Sequence, residues 1–387
     1  MASIRKLPNG TFQATIYLGR DANNKQIRKY ITRKTEKEAR SVARQIEQEY
    51  EDGLFLNIPN MKFSTWADKY LEIREKHLSP TTYIYYKACI NNHFKPYFGK
   101  LKLNQINDIH ISQYIAIKLK EGLSKATVRK HFVILSNMFK MALKKKNPCD
   151  LVEAPSGKSN ARYVPTTEEF ERLLSAVEGL WDELPILLAA WCGMREGEIF
   201  CLKVNDILDD KIRIDENRAL SESGNEDDGP KYKYIDKEPK SDNGYRIITV
   251  PDYVMSLLKK RIQSLNLKND DYIFNMRPDS YGKRFAKIIK YHNMMLENPP
   301  KGKKASFAKD TLPLQLKIQD KPIPKFTFHA LRHYHATVLY EQSIPDQYAA
   351  ERLGHDVMVL KKIYQRLQLD KKTKLDEKIK DIFKKPE

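Results

Sequence analysis

Cysteine is scarce in this chain of 387 residues: Cys89, Cys149, Cys192 and Cys201 are the whole complement, and no two stand as a C-x-x-C pair. That spacing speaks against a zinc knuckle and against a disulfide framework, and leaves four small buried apolar side chains as the expectation. Long hydrophobic runs are missing too. The longest, "LPILLAAWCGM" from Leu184, falls short of the ~20 residues that a bilayer-crossing helix needs. The opening "MASIRKLPNG" lacks the apolar stretch of a secretory leader, so the expectation is a cytoplasmic protein with no membrane partner. No internal repeat or low-complexity tract is evident. Acidic residues are in the minority. Sixty-nine Lys and Arg face 50 Asp and Glu, a formal net charge of +19 with a pI near 9.4. A surplus spread along the whole chain suits an extended polyanionic partner, nucleic acid before a membrane surface.

Composition is otherwise globular, with 41% hydrophobic and 31% charged residues and a mean hydropathy of −0.63. Patterning divides the chain in three. In residues 1–55, Phe12–Leu18 and Lys25–Thr32 alternate polar and apolar around the turn-forming "GRDANNK", and Thr35–Tyr50 follows as a helix. Arg5, Lys6, Lys25, Arg28, Lys29, Arg33 and Lys34 lie on or beside these strands, which a DNA groove and a merely soluble hairpin explain equally. "FLNIPNMKF" reads as a linker. Residues 62–152 are helical, with Ser64 as one N-cap and Ser79 as another, followed by Pro80 at the first helical position. Ser124 opens a long helix with Lys125, Arg129 and Lys130 at its front and Lys144–Lys146 at its rear. Val133, Ile134, Phe139 and Leu143 lie between. Basic helix ends suit phosphate contacts, although lysines at a C-terminus also complement the helix dipole. "EAPSGKSNARYVP" is a second linker, and a capping box, Thr166 with Glu169, starts the third part at 165–387. That part is helical with short strands at "KIRID" and "YRIITVP". Around Gly224 a long hairpin or loop is expected, and residues 292–325 read as irregular.

In Thr327–Tyr340, "TFHALRHYHATVLY", three histidines and an arginine crowd into seven residues of what is otherwise a buried helix. At ~100° per residue, Leu331, Tyr334, His335, Val338 and Leu339 form an apolar back, while His329, Arg332, His333 and Ala336 form a cationic front. Three other stretches share the theme: Arg195 in "GMREGEI", Lys240 in "EPKSDNGYRIITVP", and His355 with Tyr364 in "RLGHDVMVLKKIY". Each has a bland explanation. Arg195 with Glu198 at i+3 is an ordinary helical pair. Lys240 sits in a turn, His355 can cap a helix, and Tyr364 can face a core. The histidines do not make a metalloprotease site, because Ala330 stands where the glutamate belongs. Together, two guanidiniums, two imidazoles, an ammonium and a phenol with no carboxylate cluster suit phosphoryl transfer without a metal or cofactor. Arginine forks take the non-bridging oxygens, and the tyrosine is a covalent nucleophile whose ester keeps the bond energy for rejoining.

The R…K…H-x-x-R…H…Y order, with "GMREGEI", "HALRHYHAT" and "RLGHDVMVLKKIY", resembles the catalytic domain of the tyrosine recombinases (the phage-integrase family) over about residues 165–370. The resemblance implies a multidomain fold. It comprises a mainly α catalytic domain with a small antiparallel β-sheet at 165–387, an all-α core-site-binding domain at 62–152, and a small α+β arm-site-binding domain of three strands plus a helix at 1–55. It implies that Arg195 and Arg332 clamp the scissile phosphate with His329 and His355, that Lys240 protonates the departing 5′-hydroxyl, and that Tyr364 attacks to give a 3′-phosphotyrosine. Glu198 would be the structural acidic partner of the first arginine. Lys125, Arg129, Lys130, Arg28 and Lys29 are the candidate DNA contacts. Implied partners are attachment core and arm sites, a homotetramer on two duplexes, and excisionase and DNA-bending accessory proteins, with the segment from Leu369 onward docking on a neighbour. The implied function is integration and excision of a mobile element such as a conjugative transposon or phage. A catalytically inactive DNA-binding regulator and a type IB topoisomerase-like enzyme are the competing expectations.

Overall fold

The computed structural model describes residues 2–20, 26–51, 60–143, 147–157, 163–223, 232–238, 244–297, 315–358 and 360–361. The chain divides into two compact units, 1–160 and 161–387, a division that falls inside the second expected linker.

In the first unit, β1 (Ser3–Lys6), β2 (Phe12–Arg20) and β3 (Gln26–Arg33) form one antiparallel sheet in sequence order. The turn from β1 to β2 closes on Gly10, at φ 82°, with Leu7 N–H bonded to the Thr11 carbonyl at 2.7 Å. Alternation along β2 puts Ala14 and Ile16 inward, where they meet Ala39, Ala43 and Ile46 of α1 (Glu36–Glu51). Those three are one helical turn apart, and Thr35 caps the helix by accepting from Glu38 N–H.

A separate aromatic core follows. It gathers Phe63, Trp66 and Tyr70 of α2 (Phe63–Glu75), Phe94, Phe98 of α4 (Lys95–Phe98), Tyr114 of α5 (Asp108–Lys120), and Phe132, Met138 and Phe139 of α6 (Lys125–Leu143). Helix α3 (Pro80–Cys89) begins after Ser79 as expected and runs into a single π-turn, Ile90–Phe94, before α4, whose Pro96 has no N–H to continue the ladder. Two expectations fail locally. Ser64 is not an N-cap, because the helix starts at Phe63 and its orphan donors go to loop carbonyls: Phe63 N–H to Leu101 O at 2.8 Å, Ser64 N–H to Gly99 O at 3.3 Å. The end of the expected linker is likewise part of this fold, with Lys62 bridged to Lys102 and Phe63 fully buried. Of the apolar residues between the basic ends of α6, Ile134, Phe139 and Leu143 are buried, whereas Val133 is 47% exposed. Lys144–Lys146 lie outside the described residues.

In the second unit, α7 (Thr167–Val177) starts at the Thr166–Glu169 capping box, with Thr166 N–H to Glu169 Oε2 at 2.9 Å and Glu169 N–H to Thr166 Oγ1 at 3.3 Å. Helix α8 (Glu183–Ala190) is buried along its length and forms the centre of the core. The short α9 (Glu196–Ile199) follows. The strands pair as two antiparallel ladders: β4 (Lys211–Ile214) with β7 (Arg246–Thr249), and β5 (Asn217–Glu222) with β6 (Tyr232–Lys237). The β5–β6 pair is the expected hairpin near Gly224, its tip lying outside the described residues. Helices α10 (Asp252–Ser264), α11 (Pro278–Glu297), α12 (His329–Glu341) and α13 (Asp346–Leu353) complete the unit. Residues 315–325 have no helix or strand but are pinned to their own unit. Asn293 of α11 donates to Ile323 O and accepts from Ile323 N–H, both at 2.8 Å, and Lys317 N–H reaches Ala176 O at 2.9 Å. No helix among the described residues is long and apolar enough to cross a membrane. All four cysteines are buried and free.

Candidate active site

The site begins with a glycine. Gly193, in the turn after α8, stands at φ 69°, a conformation open to glycine, and a Cβ there would lie 2.6 Å from His335 Cδ2 and 3.0 Å from a Leu353 methyl. This close approach turns the chain so that Arg195 becomes the N-cap of α9. A second glycine works from the opposite side. Gly354 closes α13 at φ 58°, with its N–H on Glu351 O and His355 N–H on Ala350 O, both at 2.9 Å. His355 is thus both a backbone cap and a side chain turned back toward α12.

Glu198 sits at the centre, 4% exposed. Its Oε1 accepts from Arg195 Nη1 at 2.7 Å and Arg246 Nη1 at 3.1 Å. Its Oε2 accepts from Arg195 N–H at 2.7 Å and Arg246 Nη2 at 2.8 Å. Arg332 Nη1 lies 3.9 Å from the same Oε2. Burial would raise this carboxyl, but the charges and hydrogen bonds of Arg246, with Arg332 and Arg195 behind them, hold it down to about 2. The bland reading of Arg195 and Glu198 as an ordinary surface pair therefore fails, because the carboxylate is buried. The pair is part of a hub in which one buried carboxylate meets the buried guanidiniums of Arg246 and Arg332 and the partly exposed one of Arg195.

Arg332, 2% exposed, is one of the largest fully buried side chains. Its guanidinium donates to the carbonyls of Gly193 and Leu353, and its Nη2 donates to His355 Nε2 at 3.0 Å. Arg195 Nη2 donates to Gly354 O at 2.7 Å. Of the cationic front expected for this helix, Arg332 is buried against the carbonyls of Gly193 and Leu353, while His329 and His333 stay partly exposed. Burial first, and then Arg195 and Arg246, push the Arg332 guanidinium down from its ordinary value. Burial together with the same arginines lowers His355 to about 3, so its ring is neutral. Because Nε2 accepts from Arg332, the proton resides on Nδ1. Two buried donors, Arg332 Nε and His355 Nδ1, have no hydrogen-bond partner among the described residues. A buried N–H without an acceptor costs about 1–3 kcal/mol, and an anion between the arginines would recover it. His329 packs edge-on against His333, ring centroids 4.9 Å apart.

Arg195, Glu198, Arg332 and His355 are brought together, with His329 beside them. Lys240 and Tyr364 lie outside the described residues. Sequence reasoning missed Arg246 and Arg352. Arg246 carried a signal: along β7 and the residue after it, Arg246, Ile248 and Val250 alternate inward, so the arginine occupies a core register. Arg352 donates to His335 Nε2 at 3.2 Å and to Thr249 O at 3.0 Å, while His335 Nδ1 donates to Ala190 O at 3.0 Å. His335, read as part of the apolar back, is a strut tying α8, α12 and α13 together.

The candidate DNA contacts separate. Lys125, Arg129 and Lys130 are all exposed on α6. Arg129 and Lys130 line a groove of about 380 Å³ with Tyr85, Tyr86, Val133 and Ile134, and Lys130 lies 6.0 Å from the Tyr85 ring centroid. Arg28 and Lys29 fall on opposite faces of the sheet. Arg28 pairs with Tyr17 on the outer face, which also carries the exposed Tyr30, while Lys29 pairs with the buried Ile16 on the α1 side.

A fold of this kind, with arginines and a histidine gathered at the ends of α8, α12 and α13, defines a class. The phage integrase family model matches residues 164–370, just over half of the chain, and the N-terminal SAM-like domain of phage integrases matches residues 62–119. The chain belongs to the phage integrase family, the tyrosine recombinases, enzymes that cut and rejoin DNA strands. Among curated relatives it is 26% identical to a tyrosine recombinase XerC-like protein of Caldanaerobacter subterraneus subsp. tengcongensis, covering 96% of each chain. It is 25% identical to the ICEBs1 integrase of Bacillus subtilis, covering 98% of this chain and 100% of that one. Among solved structures, the Tn1549 transposon integrase bound to transposon right end DNA aligns at a TM-score of 0.60 and 18% identity, over 79% of this chain and 95% of that one. A lambda integrase dimer on a COC' core site aligns at 0.54 and 19% identity, over 93% of each. These two likenesses concern the fold.

Proposed function

We propose that this protein is the integrase of a bacterial conjugative transposon or phage, acting in the cytoplasm on paired attachment sites as a homotetramer. The observation that carries the chemistry is the convergence of Arg195, Arg332 and His355 around two buried N–H donors without acceptors among the described residues. Arg195 and Arg332 hold the non-bridging oxygens of the scissile phosphate, with His355 Nδ1 and His329 donating alongside. The Tyr364 oxygen attacks phosphorus, with His329 helping to take its proton, and the 5′-oxygen departs with a proton from Lys240, leaving a 3′-phosphotyrosine. The 5′-hydroxyl of another strand then reverses the step, so joining needs no ATP. In this reading residues 165–387 carry catalysis. Residues 62–152 grip the core site through Lys125, Arg129 and Lys130, and residues 1–55 grip the arm site through the sheet face that bears Arg28. Two linked modules raise effective concentration at a compound site. Excisionase and DNA-bending proteins set the direction. Support for the DNA assignment comes from fold relatives solved on DNA, among them a lambda integrase tetramer bound to a Holliday junction.

A nicked attachment-site duplex, incubated with the protein and resolved under denaturing conditions, should give a covalent DNA adduct that Tyr364→Phe abolishes. Survival of the adduct in that variant defeats the assignment. Plasmid relaxation without recombination would move the protein to the topoisomerase-like alternative, and tight binding with no adduct to the inactive regulator.

A further inference from the structure

Three guanidiniums share the Glu198 carboxylate, but not equally. Arg246 lies on both oxygens, 3.1 and 2.8 Å away, Arg195 approaches at 2.7 Å, and Arg332 is kept at 3.9 Å. Arg246 is almost wholly buried, and its remaining donors go to backbone: Nε to Arg352 O at 2.8 Å and Nη1 to Gly244 O at 3.2 Å. It therefore has no surface to offer DNA. A carboxylate has about four in-plane lone-pair sites, and here Arg195 and Arg246 fill them. Without Arg246, the nearest cation able to take those sites is Arg332, and a tight Arg332–Glu198 pair would spend the charge that a phosphate needs. Accepting the recombinase reading above, on which this rests, we propose that Arg246 is a positioning residue that saturates Glu198 and so keeps Arg332 available to the scissile phosphate.

This role differs from plain structural support in its genetics. If Arg246 only braces the fold, removing the Glu198 charge as well adds damage. If Arg246 competes for Glu198, removing the carboxylate restores the charge balance of the remaining pair, since Glu198→Gln keeps an acceptor oxygen for Arg195 N–H. The experiment measures the rate of covalent adduct formation on a nicked attachment site, with DNA affinity and the thermal transition recorded in parallel. Arg246→Gln should slow adduct formation by about a hundredfold, the scale of one lost transition-state donor, with affinity changed by less than about threefold. Glu198→Gln combined with Arg246→Gln should then be at least about tenfold faster than Arg246→Gln alone, a coupling that independent defects do not show. A folded double variant as slow as the single one overturns the proposal, as does a loss of affinity that accounts for the loss of rate. Should Arg246→Gln not accumulate in folded form, Arg246→Lys, which leaves one ammonium for two oxygens, takes its place, with a loss of about tenfold and the same direction of recovery expected. If the wild-type protein itself forms no adduct on its attachment site, the recombinase reading fails and this proposal with it, an outcome distinct from wild-type cleavage that Arg246 variants leave untouched.

Discussion

Glu196 stands one position after Arg195 and behaves as its opposite. Burial, then the charge of Asp279, lifts its carboxyl to about 7, against a hydrogen bond from the Gly282 backbone, and its Oε1 is buried without a partner among the described residues. An acid whose folded value lies above its unfolded one of 4.5 binds a proton that the unfolded chain has released, so stability falls as pH rises from about 4.5 to 7 and stays reduced above. Glu196→Gln should accordingly raise the thermal transition at pH 8 and leave it unchanged near pH 4, read by circular dichroism melts at both values. An equal shift at the two pH values would show that packing, not charge, is at issue. Gly193 is a residue of the other sort, valued for what it lacks. Gly193→Ala forces a side chain into a positive-φ position 2.6 Å from the His335 ring. It should cost at least about 1–3 kcal/mol of stability and lower cleavage further, since the same turn aims Arg195. Urea titration and the adduct assay check the two effects separately.

At the level of elements, alternation decided more than composition. Read as a cluster, Arg28 and Lys29 looked like a pair; in register, only Arg28 shares the outer face with Tyr17 and Tyr30. Arg28→Ala should weaken binding to arm-site DNA and reduce the slope of log affinity against log salt by about one, whereas Lys29→Ala should leave the slope nearly unchanged. Equal slopes for the two variants in a fluorescence-anisotropy titration would remove the outer face from the interface. The same period-2 logic exposes Arg246, which sits between the outward Tyr245 and Ile247, 45% and 58% exposed. Helix starts were legible where a side chain does the capping, as at Thr166 and Ser124, the latter accepting from Thr127 N–H at 3.1 Å. They were not legible at Phe63, where carbonyls from residues 99–101 satisfy the first turn, because a local reading has no access to a loop nearly forty residues away.

Beyond these single elements, histidines held below their ordinary value link stability to acid. His131, His335 and His355 are each held below 6.5, to about 4, 3 and 3, with burial the first cause in every case. The unfolded chain takes up protons below 6.5 that the folded chain refuses, so stability is full above that pH and declines as pH falls toward 4. His93 is lowered as well, again with burial first. The fall in urea midpoint between about pH 6.5 and 5 should therefore become shallower in His131→Gln, which removes one such site and leaves residues 161–387 untouched. An unchanged slope would mean that other groups dominate.

Order and spacing of chemical groups are properties of the chain itself, and they sufficed for the family: the stretches around Arg195, Arg332 and His355 carry the resemblance, and the phage integrase family model matches residues 164–370. Periodicity likewise located the sheet-plus-helix module, the aromatic helical core and the helix that holds Arg332. Which of those groups carries usable charge is a different matter, because an arginine's availability depends on every acceptor within reach. The carbonyls of Gly193 and Leu353, the Glu198 carboxylate and the rival guanidinium of Arg246 come from segments of the chain far apart in sequence. Only the folded chain brings them within hydrogen-bond range, and short-range electrostatics, falling off over a few ångströms, is decided there.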